Sequence, residues 1–237
     1  MRARPYSETR RTMKLIKRLI VIILLIAAFA AGATYYGALQ MYKDAIAETP
    51  IEDKVAQIQA MEHYTPYSQL PDTYIDGIIA VEDKRFEHHK GYDLLSVGRA
   101  FVSNIKAGEL VEGGSTITQQ VARTMYFDQD KKMTRKMAEI LVARDIEKLY
   151  EKDEILELYV NMIYFGSGYY GIYDASQGYF GKLPYQLNSY ESTMLAGIPN
   201  APSAYSPDAN PVLAEERRQQ VIEAMVKEGY IEAGEIQ

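Results

Sequence analysis

Two glutamates stand where the helical pattern asks for apolar side chains. Ile75, Ile78 and Ile79 mark one face of a helix, and Glu82 and Phe86 continue that face one and two turns further on. Glu139 in the same way opens the stripe Val142, Ala143, Ile146 and Leu149. An inward-facing carboxylate is costly unless it is paired, protonated or open to a cleft. For either acid alone the plain reading is a solvated glutamate bonded to a neighbouring arginine, Arg85 for Glu82 and Arg135 for Glu139. An i,i+4 pair of the second kind is worth about 0.2–0.5 kcal/mol. Taken together, the two acids fit glycosyl chemistry, in which one group moves a proton while another arranges charge across a sugar.

Between them runs Gly113-Gly114-Ser115-Thr116-Ile117-Thr118-Gln119-Gln120, a glycine pair opening into a helix at a capping box, Thr116-x-x-Gln119. Free N–H groups at such a start can hold phosphate, although a glycine before a helix is more often only a turn. Arg123, Lys131, Lys132, Arg135 and Lys136 follow, against Asp128 and Asp130. This basic island reads either as a solvated helix end or as a clamp for a pyrophosphate.

Other features carry less. The chain has no cysteine, which removes disulfides, thiolate metal sites and cysteine nucleophiles. Its three histidines include the adjacent pair His88-His89, without the H-E-x-x-H spacing of a zinc site, and His63, which reads as structural or exposed. Ser103-x-x-Lys106 matches one transpeptidase signature, but neither of its partner motifs is in the sequence.

These residues need elements to position them. The first 18 residues hold seven basic side chains and one acid, although the whole chain carries 26 basic and 32 acidic residues, so the remainder is strongly acidic. An acidic body without a basic stripe argues against nucleic acid. From Leu19 to Leu39 no residue is charged, and as a helix these positions reach roughly 31 Å, enough to cross a bilayer. The preceding basic flank predicts a cytoplasmic N-terminus. A cleaved signal peptide is the alternative, since Ala28-Phe29-Ala30 resembles a cleavage site, but the apolar stretch outruns a usual signal core. After a membrane-proximal stalk, residues 40–70, the remaining 71–237 read as one mostly α domain. Helices are predicted from just after Pro71, over 94–106, from near Thr116, and over 134–150, 153–163, 189–196 and 211–227. Tyr164 to Tyr190, rich in tyrosine and glycine, reads as an aromatic loop region with short helical turns.

In order along the chain, these segments resemble the glycosyltransferase domain of penicillin-binding proteins, above all its stand-alone form, the monofunctional peptidoglycan glycosyltransferase. Glu82 to Asp93 (EDKRFEHHKGYD) resembles the family's first motif, E-D-x-x-F-x-x-H-x-G-x-D, at every fixed position. Gly113 to Gln120 resembles the second, and Arg135-Lys136-Met137-Ala138-Glu139 the third. Glu154 to Asn161 is similar to the fourth, with Val160 where leucine is common, and Arg217 to Ile222 to the fifth.

The resemblance implies a lysozyme-like, mainly helical domain behind one transmembrane helix, with a membrane-facing jaw between the first two motifs, to which the apolar residues Leu94, Phe101 and Ile105 could contribute. It implies polymerisation of lipid II onto a glycan chain held on a polyprenyl pyrophosphate, at the outer face of a bacterial plasma membrane. Glu82 would be the general base. Glu139 would act on the pyrophosphate side, directly or through a divalent cation such as Mg or Mn, with no organic cofactor. Substrate contacts would come from Asp83, Phe86, His89, Gly91, Ser115, Thr116, Gln119, Gln120, Arg123, Lys131, Arg135, Lys136 and Asn161. Expected partners are lipid II, the nascent glycan, the membrane, and transpeptidases or other wall-synthesis proteins. A lysozyme-like hydrolase and an inactive anchored scaffold are the alternatives; the basic island argues against the first and the intact acids against the second.

Overall fold

The computed structural model describes residues 6–108, 113–127 and 132–236. It is helical throughout, and among these residues the only extended pairing is an isolated bridge between Tyr164 and Tyr170. Lys131, Asp128 and Asp130 of the basic island lie outside the described residues, as does the side chain of Phe101.

Helix α1, Tyr6–Glu48, carries the uncharged stretch. Among the described residues one helix is long and apolar enough to cross a membrane, over Thr12–Glu48. Its last turns leave solvent and pack on α6, Met133–Leu149: a Cβ at Gly37 would lie 3.0 Å from Thr134 Cγ2, and Tyr42 donates a 2.5 Å hydrogen bond to Asp145.

The segment 40–70, expected as a stalk, is instead part of the domain. Helix α2, Ile51–Gln59, presents Ile51, Val55 and Ile58 at the i, i+4, i+7 spacing of one face and buries them in the common core. Asn161 of α7, Lys152–Met162, then clasps the chain at Thr65, accepting from its N–H at 2.7 Å and donating to its carbonyl at 2.8 Å.

Two groups of helices make the body. In one, α3, Asp72–Glu82, lies against α9, Ser189–Gly197, and α11, Pro211–Glu228. Gly77 permits this approach, since a Cβ there would sit 3.1 Å from that of Ala196. In the other, α5, Ile117–Tyr126, packs on α6 and α7. The expected capping box forms, with Gln119 N–H donating to Thr116 Oγ1 and Thr116 N–H to Gln119 Oε1. Fully buried Tyr74, Ile78, Ile117, Ile146, Leu158 and Tyr159 join both groups in one core.

Helix α4, Leu94–Ala107, leaves its apolar side open: Leu94 is 73% and Ile105 64% exposed, with Leu95, Val97 and Val102 also open. Periodicity finds an apolar side without saying what meets it. The tyrosine-rich region contains a true helix, α8, Ile172–Phe180, closed by Gly181 in the left-handed region. The four-residue α10, Pro202–Tyr205, completes the chain order.

Candidate active site

Glu82 ends α3 and lines a cleft of about 440 Å³ between the two helix groups. Gln120 of α5 reaches across and donates to Glu82 Oε2 at 2.8 Å. The other oxygen, Oε1, is buried without a hydrogen-bond partner among the described residues. Burial raises the Glu82 pKa above its ordinary 4.5, with the Gln120 hydrogen bond and the charges of Arg217 and Arg123 pulling the other way. A raised carboxylate with one free oxygen suits proton abstraction, because a base works best when its pKa approaches the working pH. Tyr74 and Tyr159 are also fully buried, and burial together with the Glu82 charge pushes both phenols up.

The cleft is cationic. Lys84, Arg99, Arg123, Arg217 and Lys227 line it, against Glu82 and Glu228, and Lys84 pairs with Glu228 at 2.9 Å. A second cleft of about 540 Å³ shares Gln120, Arg123 and Pro199 with the first and adds Arg135. Side chains at this junction can therefore meet a dianionic group without leaving α5 and the first turn of α6.

Glu139 lies behind this wall. It is 1% exposed, accepts from Arg135 at one oxygen, and accepts from Lys136 Nζ at 3.0 Å at the other. Lys136 also donates to Ser115 Oγ at 2.6 Å, and burial lowers its pKa while the Glu139 charge supports it. The arrangement is a buried acid orienting two cations, with Arg135 facing the cleft. It differs from the exposed i,i+4 pair that the spacing alone allowed. A divalent ion does not fit it well: both Glu139 oxygens are occupied by protein cations, and no cluster of metal-binding side chains occurs among the described residues.

The remaining sequence candidates divide. Ser115, Gln120, Arg123 and Arg135 line the clefts. Asp83, Phe86, His89, Gly91, Thr116 and Gln119 form the frame that holds the first two motifs together. Asp83 accepts from Ile117 N–H at 3.0 Å, at the start of α5, and contacts His89 Nε2 at 2.7 Å. Thr116 Oγ1 donates to the Gly91 carbonyl at 2.8 Å. Gly91 has φ +89°, and a Cβ there would come within 2.8 Å of the Ala143 carbonyl, so this position needs glycine on two counts. Phe86 is core, and Asn161 is committed to Thr65.

Sequence reasoning placed Arg217 in a motif but gave it no site role. Its position on α11 beside the Gly197 carbonyl, to which it donates at 3.3 Å, brings it to the Glu82 cleft. Its neighbour Arg218 is buried, bonds Glu215 at 2.6 Å and lies over the Tyr190 ring, which is a structural task.

Comparison with known proteins agrees with this geometry. The family model described as Transglycosylase matches residues 51–226. A Cupriavidus necator protein bearing a transglycosylase name is 45% identical over 188 residues, covering 79% of this chain and 81% of its own. Penicillin-binding protein 1F of Bacillus subtilis is 46% identical over 185 residues, covering 77% of this chain and 26% of that protein. Penicillin-binding protein 1A of Aquifex aeolicus is 42% identical over 168 residues, covering 71% and 23%. The chain thus spans most of the first relative and about a quarter of each of the other two.

Proposed function

The chain belongs to the transglycosylase family, and from that premise we propose that this peptidoglycan glycosyltransferase joins lipid II units into glycan strands with Glu82 as the base. The observation that carries the reading is a partly unpartnered, raised carboxylate in the wall of a cationic cleft.

In the proposed step Glu82 takes the proton from the acceptor sugar's 4-hydroxyl as that oxygen attacks the anomeric carbon of the donor. The new C–O bond forms on the face opposite the pyrophosphate, so an α link becomes β, and the bond to the pyrophosphate oxygen breaks. The leaving group departs carrying the electron pair, and Arg123 and Arg135 are placed to meet its charge. Lys136 is held against Ser115 by the same Glu139 that orients Arg135. Glu139 is on this view a positioning residue. A divalent ion travelling with the pyrophosphate would be held by the substrate more than by this chain. A base of this kind contributes about 10² to 10⁴ in rate.

The exposed apolar residues of α4 and the apolar length of α1 support a cleft held close to a membrane, where a lipid-linked substrate remains, with the N-terminus in the cytoplasm. Transpeptidases are the expected partners, because a glycan strand without cross-links needs a second activity. A hydrolase working with water has no use for the cations around Glu82. Incubating the full chain with lipid II in detergent tests the reading. Glycan polymer is expected, whereas cleavage of preformed glycan or no reaction would overturn it.

A further inference from the structure

Two tyrosines in the core carry hydroxyls that packing alone does not require. Tyr74 of α3 and Tyr159 of α7 are each 0% exposed, and neither phenol oxygen has a hydrogen-bond partner among the described residues. Phenylalanine would fill the same space without a polar atom, whereas a buried hydroxyl left unpaired is costly. Other phenols of this chain are matched to acids. Tyr42 donates to Asp145 at 2.5 Å, Tyr64 donates to Glu157, and Tyr190 donates to Glu215 at 3.3 Å.

The acid whose charge bears on both buried phenols is Glu82. Tyr74, Ile78 and Glu82 follow one i, i+4, i+8 row of α3, and Tyr159 comes from α7, which packs on the α5 that carries Gln120. Burial first and the Glu82 charge second push both phenols up, and Tyr74 adds to the effect on Tyr159. Each phenol therefore keeps its proton and has one to donate. Glu82 Oε1 is a third buried oxygen without a partner among the described residues, and it can only accept. Two donors and one acceptor thus share a neighbourhood without a direct bond between them. Water closes such a set, since a buried water typically makes about three hydrogen bonds to otherwise unpaired polar groups.

We propose that Tyr74 and Tyr159 are positioning residues for the base, joined to Glu82 Oε1 through internal water held between the three oxygens, and that this hydrogen bonding from the core side steadies the ionised carboxylate. The inference rests on the reading of Glu82 as the base. An ionised carboxylate oxygen has two acceptor sites, so a water on Oε1 leaves another for the substrate proton. Hydrogen bonds to the charged form favour it and oppose the burial that raises Glu82. Other groups act on the same carboxylate. Gln120 and Arg123 from α5 and Arg217 from α11 favour its ionised form, and Asp83 disfavours it. Arg99, Lys227 and the Lys84–Glu228 pair line the same cleft. Removing a phenol hydroxyl alters none of these side chains, so the tyrosines can be tested by themselves.

The test uses the full chain polymerising lipid II, with kcat and KM followed across pH for wild type, Tyr74→Phe and Tyr159→Phe. Each variant keeps the ring and loses one oxygen, and circular dichroism checks that helical content is retained. Both are expected to move the acid limb of kcat/KM upward by about half to one pH unit, a loss of about three- to tenfold on that limb, with KM unchanged. A limb at the wild-type pH in either variant would overturn the inference. So would a loss of rate that is equal at every pH, which is what a merely structural role produces. Infrared difference spectra give a readout that does not depend on turnover. The carboxyl band of protonated Glu82, identified by its loss in Glu82→Gln, should rise in frequency in both phenylalanine variants, and an unmoved band would overturn the water link. Glu82→Gln also separates the two readings: an acid limb that survives in it removes Glu82 as the base, whereas a limb lost there but unmoved in the phenylalanine variants removes only the tyrosines.

Discussion

Glu82 and Glu139 both interrupt apolar helical faces, yet the fold treats them in opposite ways. Glu139, at the second turn of α6, has each oxygen matched to a cation and is closed from solvent. Glu82, at the last turn of α3, receives one amide hydrogen bond, keeps the other oxygen unmatched and has its pKa raised by burial. A neutralised acid stabilises and orients its partners. An acid left short of partners is held in an unfavourable state, which is the environment that suits a group changing its protonation. On the proposed reading, the contrast gives proton transfer to the first motif and charge placement to the third.

The comparison breaks first at activity. Glu82→Gln preserves shape and the contact with Gln120 while removing basicity, so lipid II turnover should fall by at least about 10², with helical content unchanged by circular dichroism. Near wild-type turnover would end the assignment.

Stability provides the next break. Glu139→Gln leaves Arg135 and Lys136 crowded without their acid and should destabilise the fold by about 2 kcal/mol, somewhat below the 3–5 kcal/mol of a fully enclosed pair, as measured by urea unfolding. Unchanged stability would mean that the pair is not a structural unit.

Arg135→Glu sharpens the division of labour. It should weaken a phosphoglycolipid ligand of the donor site at least about tenfold, near 1.4 kcal/mol, with the pH dependence of the residual rate unaltered. Equal binding by wild type and variant would remove Arg135 from the pyrophosphate clamp.

A smaller effect has the opposite sign. Because the folded-state pKa of Glu82 lies above its unfolded value, the folded chain is disadvantaged once pH rises through that folded value. Glu82→Gln should therefore raise Tm at neutral pH, and the gain should vanish below about 4.5, where the glutamate is protonated in both states. Equal Tm values at both pH extremes would show that the carboxylate is not strained.

Much of this was legible in the sequence because helical periodicity and capping are local. The α3 stripe alone brings Glu82 into view, and Thr116 and Gln119 mark the start of α5. What remained hidden depends on how distant segments meet. Nothing local relates Arg217 to Glu82, since α11 reaches the cleft only through its packing on α3 and α9. The resemblance implies substrate contacts at Asp83, His89 and Thr116, and the structure adds that they tie two loops together, a task that sequence does not separate from facing a cleft. The short α2 shows an apolar face in Ile51, Val55 and Ile58, but that spacing does not say what the face meets, and its burial is decided by α7.

The most direct measurement is the pH profile of kcat/KM for lipid II, compared between the wild-type chain and the residual activity of Glu82→Gln. The wild type should lose activity as pH falls through a value above the ordinary 4.5 of a glutamate, because Glu82 must be ionised to accept the proton. That acid limb should be absent from the variant. The same limb, at the same pH in both proteins, would contradict the account.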